Sequence, residues 1–216
     1  MALQWGFFLQ ATRLHNDIIR VLHQSADVAG DLLRPAFAAP KQVHSKADSS
    51  PVTDADRAVE EAIRQLIMQN FPTHGIVGEE FGVYQSTSSY QWVIDPIDGT
   101  KAFIAGQASF TTLIAVCHEA SPIAGLIDQP VVKRRWCSDA RFVPPIVSGG
   151  RLSTTSMDYF TPTQRQAFAR ASQHMPHVSY GGDAYAYAMI LDGENDAVID
   201  AGMKPYDYLA LVPVLH

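Results

Sequence analysis

Cysteine is almost missing from this chain. Cys117 and Cys137 are the only two, so at most one bridge can form, and there is no CxxC pair. A disulfide framework and a zinc knuckle are both excluded, and a reducing cytoplasm is the expected compartment. Charge is also sparse: 18% of residues are charged, against the ~25% of an average globular chain. Much of the surface must therefore be neutral or covered, which predicts a homodimer. Positive charge is the scarcer sign, 16 Lys and Arg against 22 Asp and Glu for a formal net charge of −6. That balance argues against nucleic acid or an anionic membrane as partner. No apolar run reaches the length of a membrane span. The opening Met1 to Leu9 has no basic residues ahead of its apolar patch, so it reads as the start of a helix and not as a signal peptide. Internal repeats and low-complexity tracts are absent.

What is present is 216 residues, 47% of them hydrophobic, enough for one large domain or two closely packed halves. From Phe8 to Phe37 apolar residues recur at helical spacing through Leu14, Ile18, Val21, Leu22, Ala26, Ala29 and Leu33, with a break expected at Gly30. Lys41 to Pro51 is polar and turn-forming, and is expected to be a mobile loop. Thr53 or Asp54 caps a second helix with a Val59, Ile63, Leu66, Ile67 stripe, stopped at Phe71-Pro72. Strands are expected at Gln91 to Asp95, Ser109 to Cys117, Ile123 to Asp128 and Val131 to Trp136, forming one meandering sheet. Beyond it strands near Arg151 to Ser156, His177 to Tyr180 and Ala197 to Asp200 alternate with helices at Pro162 to Gln173 and Ala184 to Leu191, which predicts α/β layering.

The sharpest local signal is Trp92-Val-Ile-Asp95-Pro96-Ile97-Asp98-Gly99-Thr100, an apolar strand ending in two carboxylates and a Gly-Thr turn. Pro96 has no N–H and should stop the ladder, leaving Asp95 and Asp98 on one curved loop. Paired carboxylates of this kind suit a hard divalent cation, and a short helix opening at Gly99-Thr100 would set free N–H groups beside it. Taken singly, each motif has a plainer reading. Asp98-Gly99 alone is a turn, and Glu79-Glu80 a solvated pair. Asp56 alone is a first-turn charge facing the helix dipole, and Asp207 an N-cap.

In combination the odds change. Val52-Thr-Asp-Ala-Asp56, Gly78-Glu79-Glu80, Asp95-Pro-Ile-Asp98-Gly-Thr100 and Asp200-Ala-Gly-Met-Lys-Pro-Tyr-Asp207, in this order, resemble the inositol monophosphatase-like family of metal-dependent phosphatases, from about residue 25 to the end. Gly181-Gly-Asp183-Ala-Tyr185-Ala-Tyr187, Ile127-Asp-Gln-Pro130 and Lys204 to Leu211 look most like its histidinol-phosphate phosphatase branch.

The resemblance implies a layered α-β-α-β-α fold in a single phosphatase domain. Its N-terminal half, 1–138, would carry the metal site and its C-terminal half, 139–216, the substrate side. It implies that Glu79, Asp95, the carbonyl of Ile97, Asp98 and Asp207 hold two or three Mg²⁺ ions. Asp56 and Thr100 match the pair that orients and deprotonates the attacking water with Glu79, and Gly99 and Thr100 match the phosphate-binding turn beside Asp98. Asp183 and Asp200 match positions touching the organic part of a small phosphorylated metabolite, although the family commonly has Glu where this chain has Asp200. The expected activity is Mg²⁺-dependent hydrolysis of L-histidinol phosphate, with inositol 1-phosphate or another polyol phosphate as alternative, or a truncated non-catalytic form of the fold.

Two departures stand out. Cys137 to Gly150 is short for the family, and the apolar end Leu209 to Leu215 is expected to be cut back, exposing a sheet edge. Two other phosphatase chemistries fit poorly. An aspartyl-phosphate enzyme needs its second Asp two residues after the first, where this chain has three. Cys137 to Arg141 is too short for a cysteine-phosphatase loop. The eight histidines show no paired ligand spacing and read as structural or surface groups.

Overall fold

The structure, a computed structural model, describes residues 2–46, 51–142 and 149–216, with the side chains of the first helix described from residue 12 onward. That helix, α1 (Ala2–Ala38), runs unbroken through Gly30. A Cβ at Gly30 would lie 2.6 Å from Arg34 Nη1 and 3.4 Å from Pro130 Cβ. The glycine therefore lets the helix approach a neighbouring turn, and the expected break is absent. Ile18, Val21, Leu22, Ala26, Ala29 and Leu33 form its buried stripe, the 3.6-residue periodicity seen in the sequence.

Part of the expected loop is ordered as a hairpin. Strand β1 (Val43–Ser45) pairs antiparallel with β2 (Pro51–Thr53), while residues 47–50 of that loop lie outside the described residues. Thr53 then caps α2 (Asp54–Asn70), whose Val59, Ile63 and Ile67 pack against α1.

The main sheet has six strands: β3 (Gly75–Gly78), β4 (Gly82–Tyr84), β5 (Tyr90–Asp98), β6 (Thr111–His118), β7 (Ser121–Gln129) and β8 (Arg134–Cys137), in the order β4-β3-β5-β6-β7-β8. The stretch from β5 to β8 is the expected meander. The expectation was incomplete at β3 and β4, and β3 runs parallel to β5, so the sheet is mixed. Gly-Ile-Val-Gly supplies only two apolar side chains, too few to register as a strand by alternation.

Side chains alternate across this sheet. Trp92, Ile94, Ile114, Val116 and Leu126 face α1 and α2. Val93, Leu113, Ala115, Ile127 and Trp136 face the other way, against α5 (Asp183–Leu191) and α7 (Leu211–Leu215). The cysteines follow the same alternation: Cys137 packs with the first face and Cys117 with the second, and both are free thiols.

A second sheet of three parallel strands, β10 (His177–Tyr180), β9 (Arg151–Thr154) and β11 (Ala197–Val198), covers α5 on its far side. Helix α4 (Pro162–Ser172) closes that sheet through Phe168, packed on Leu152 and Phe160. The layers are α1/α2, the six-stranded sheet, α5/α7, the three-stranded sheet and α4, the α-β-α-β-α arrangement. Residues 143–148, inside the stretch expected to be short, lie outside the described residues. The apolar end is helical, and it does not add to a sheet edge. Leu211 and Val214 are buried with Ile127 and Trp136, and a Cβ at Gly125 of β7 would fall 2.3 Å from the carbonyl oxygen of Ala210.

Candidate active site

Strand β5 carries its carboxylates to the edge of the second face. The ladder with β6 runs in register to Asp95↔Leu113, shifts, and resumes at Asp98↔Thr111. Pro96 thus bulges the ladder without ending it. Its carbonyl accepts from Thr112 Oγ1 at 2.8 Å, and Ile97 N–H donates to Asp95 Oδ1 at 3.1 Å. The loop is fixed from both sides. Gly99 follows at φ 87°, left-handed, and a Cβ there would meet Asp183 Oδ2 at 3.0 Å and Phe110 Cα at 3.3 Å. Both space and backbone therefore require glycine. The one-turn helix α3 (Thr100–Ile104) begins next, and Thr100 Oγ1 donates to the Ile97 carbonyl at 3.1 Å.

Two helices bring the remaining acids. Ala184 N–H, at the start of α5, donates to Asp98 Oδ2 at 2.5 Å. Asp207 sits at the third position of α6 (Pro205–Tyr208) and reaches back to accept from Lys204 N–H at 2.7 Å, so it is not itself the N-cap. Oxygens of Asp95, Asp98 and Asp207 come within 4.8 Å of one another. Glu79, just past β3, donates its N–H to the Ile94 carbonyl at 3.2 Å and so extends the pairing with β5. Together these residues line a cleft of about 880 Å³ whose wall also includes Ile97, Gly99, Thr100, Lys101, Asp183 and Asp200.

Burial, with the charges of Glu79, Asp98 and Asp207, holds the Asp95 carboxyl well above the usual carboxylate range. Asp98 is held well above it by burial and by Asp183, against the opposing Ala184 N–H. Burial also raises Asp207, opposed by the Lys204 N–H. Like charges about 4 Å apart repel by on the order of 4 kcal/mol at an effective dielectric of about 20, so an acidic cluster of this density calls for a compensating cation. Its donors are all oxygen, the chemistry of Mg²⁺ or a similar hard ion. The residues present fit such an ion.

Other expected site residues sit differently. Asp56 is buried, and its Oδ2 accepts from Thr53 N–H at 2.7 Å and Thr53 Oγ1 at 2.5 Å. Burial raises it against those bonds, with a further contribution from the charge of Glu79, but it does not line the cleft. Asp183 is the first residue of α5, with Gly182 as its N-cap and a left-handed φ of 44°. Burial first, then the charge of Asp200, pushes its carboxyl up to about 6. Asp200 lines the cleft but is already engaged: Oδ1 accepts from Thr155 N–H at 2.6 Å and Thr154 Oγ1 at 3.1 Å, and Oδ2 accepts from Thr155 Oγ1 at 3.1 Å.

Two residues escaped the sequence reading. Lys46, in the polar loop, places Nζ 2.7 Å from Glu79 Oε1 and 2.5 Å from Glu80 Oε1. Glu60, fully buried on α2, accepts from Glu80 N–H at 2.7 Å, Phe81 N–H at 3.1 Å and Arg64 Nε at 2.7 Å, so it holds the turn that presents Glu79. A Cβ at Gly78 would collide with its carboxylate at 1.9 Å. The available signal was a Glu–Arg pair at i,i+4 beside the apolar stripe of Val59 and Ile63.

An oxygen-rich cleft at the bulged end of a sheet strand, on this five-layer frame, defines a phosphoric monoester hydrolase. The model of the inositol monophosphatase family matches residues 15–216, and the chain belongs to that family. It is 42% identical to the bifunctional phosphatase IMPL2, chloroplastic, of Arabidopsis thaliana over 88% of this chain, and spans 59% of that protein's length. It is 32% identical to the histidinol-phosphatase of Mycobacterium tuberculosis, covering 91% of this chain and 83% of that one. Among solved structures it superposes on an inositol monophosphatase from Zymomonas mobilis with TM-score 0.79 and 39% identity, covering 93% of this chain and 83% of the other. Among the described residues no helix is long and apolar enough to cross a membrane.

Proposed function

We propose that the chain hydrolyses L-histidinol phosphate to L-histidinol and phosphate with Mg²⁺ bound by Glu79, Asp95, the Ile97 carbonyl, Asp98 and Asp207. The observation that carries this reading is the convergence of Asp95, Asp98 and Asp207 within 4.8 Å, with a second carboxylate pair, Asp183 and Asp200, on the same cleft. When bound, Mg²⁺ supplies Lewis acidity toward the phosphoryl oxygens and lowers the pKa of the attacking water.

The chain's own groups do the rest. Gly99 and Thr100 form the phosphate seat, where the positive φ of Gly99 lets the backbone turn tightly against the ester. Lys101, also on the cleft wall, adds positive charge beside it. Glu79 takes the proton of the attacking water, and Lys46 orients that carboxylate through Oε1, 2.7 Å from its Nζ. Thr100 Oγ1, anchored on the Ile97 carbonyl, positions the same water. Asp56 acts from behind, fixing Thr53 and the start of α2. Direct in-line attack needs no covalent phosphoenzyme. Asp183 and Asp200 face the leaving alcohol, where two carboxylates favour an ammonium group. Relatives named histidinol-phosphatase at 32% and 40% identity support this choice.

The inositol monophosphatase from Zymomonas mobilis, at 39% identity, favours a second reading, a polyol phosphate. Comparing kcat/KM for L-histidinol phosphate and inositol 1-phosphate decides between them. Histidinol phosphate is expected to be the better substrate, and a preference for the inositol ester overturns the assignment. A homodimer in the cytoplasm completes the proposal. Sedimentation of the purified chain tests the first part and localisation of a tagged chain the second.

A further inference from the structure

Away from the cleft, on the α1 side of the main sheet, three chemically distinct ligands meet. His23 comes from α1, Cys137 from the end of β8 and Asp139 from the turn that follows. A nitrogen, a sulfur and an oxygen of these residues lie within 4.8 Å of one another. His23 Nε2 is 3.1 Å from Asp139 Oδ2, and Asp139 also shares a hydrogen bond with the Cys137 thiol. The sulfur is buried, while the His23 and Asp139 side chains are 36% and 37% exposed, so an ion could reach the group from solvent.

We propose that His23, Cys137 and Asp139 form a second metal site, separate from the oxygen cluster, for a borderline divalent ion of the zinc type. One sulfur, one imidazole nitrogen and one carboxylate oxygen make a mixed donor set that zinc accepts and Mg²⁺ does not. Tetrahedral donors around zinc sit roughly 3.3–3.8 Å apart, given bonds of about 2.0–2.3 Å, so atoms that now lie within 4.8 Å of one another need to close by at most about 1.5 Å. The fourth position is left to water.

The surroundings suit the charge. Arg135 Nε and Nη2 are neutralised by Asp128 at 2.7 Å and Asp27 at 2.8 Å, which leaves the arginine and its two partners with one net negative charge. Arg135 Nη1 lies 3.4 Å from His23 Nδ1. An arginine can only donate, so in the metal-free state Nδ1 accepts and the ring proton sits on Nε2, facing Asp139. Binding moves that proton to Nδ1, so Arg135 Nη1 must turn from the ring and donate to the His23 carbonyl alone, now 3.3 Å away. The Cys137 proton goes to solvent, one per ion bound. The site would staple α1 to β8 across more than a hundred residues of chain.

A nucleophilic Cys-His-Asp triad is the competing reading, and the geometry opposes it. Asp139, and not the imidazole, faces the thiol, and burial pushes the Cys137 thiol up to about 12, far from a thiolate at neutral pH.

The test is a Co²⁺ titration of the full chain with Mg²⁺ held in excess, so that the oxygen cluster is occupied and draws little Co²⁺. One equivalent of Co²⁺ should produce a thiolate-to-cobalt charge-transfer band with the strong visible bands of tetrahedral cobalt. Cys137→Ser should abolish the charge-transfer band and Cys117→Ser should leave it. His23→Gln and Asp139→Asn, at positions 36% and 37% exposed, should each weaken Co²⁺ binding by about 10-fold or more. Zn²⁺ at roughly 100 times its Kd should raise Tm by about 5 °C or more in the unsubstituted chain and not in His23→Gln. The proposal is overturned by the absence of a band, by its survival in Cys137→Ser, or by His23→Gln and Asp139→Asn titrating like the unsubstituted chain.

Discussion

The two sheets differ in how they hold acidic side chains. In the six-stranded sheet, β5 and β6 are long and buried along nearly their whole length, and the acids at their bulge are tied to backbone groups on several elements. In the three-stranded sheet the strands have two to four residues and β10 is largely exposed, with a core of little more than Leu152, Phe160 and Phe168. The costly task, gathering like charges, falls on the rigid region. The thinner region supplies Asp200 to the cleft wall, and in the proposed reaction this is the side that meets the organic part of the ligand, where small shifts would alter specificity without dismantling the acidic cluster.

If this division is correct, the largest effects should come from the rigid side. Asp95→Asn or Asp98→Asn should lower kcat for phosphate release by roughly 100-fold or more. Glu79→Gln should approach that loss, and Glu80→Gln should fall well short of it. Equal losses at Glu79 and Glu80 would place the wrong one at the site. Glu60→Ala leaves Arg64 Nε and two backbone N–H groups without their acceptor, while Arg64 Nη2 keeps the Gly82 carbonyl. It should cost about 3 kcal/mol of stability in urea unfolding and raise the Mg²⁺ concentration needed for half activity. An unchanged Mg²⁺ requirement would show that the Glu79 turn holds itself.

On the thinner side the effects should be smaller and selective. Asp183→Asn should lower kcat/KM for histidinol phosphate by about 10-fold while changing inositol 1-phosphate less. Amides of β10 and β11 should exchange with solvent at least ~10-fold faster than those of β5 and β6; equal protection would erase the contrast between the sheets.

The smallest effect is a pH slope. Burial lowers His74 below its ordinary value of 6.5, and its Nδ1 accepts from Trp92 Nε1–H at 3.1 Å. The unfolded chain therefore takes up that proton first. The stability contributed by neutral His74 is whole above about pH 6.5 and is lost as pH falls through the lower folded value. Urea unfolding at about pH 7.5 and 5.5 should show this loss, and His74→Gln should show less of it.

The same contrast explains what could be read in advance. Asp95 to Thr100 was legible because its chemistry is local: strand, proline, two acids and glycine follow one another in the chain. Thr53 and Asp56 announced the start of α2 for the same reason, and alternating periodicities gave α/β layering, while the order of the five layers came from the resemblance to the family. What escaped was non-local. The parallel pairing of β3 with β5 depends on partners well apart in sequence. Lys46 acts by meeting Glu79 from a distant loop, and Gly30 looked like a helix break because the nearby Pro130, whose Cβ would lie 3.4 Å from a Cβ at Gly30, is a tertiary neighbour. His23 shows no ligand spacing until α1 is laid against β8.

The central claim is that Asp95, Asp98 and Asp207 form a hydrolytic metal centre, and phosphate release during chelation and reconstitution tests it most directly. Activity should vanish when divalent ions are removed and return with added Mg²⁺ in the unsubstituted chain, while Asp95→Asn should recover almost none of it at the same Mg²⁺ concentration. Phosphate release that persists unchanged after chelation, or an Asp95→Asn chain restored to full activity, would contradict the account.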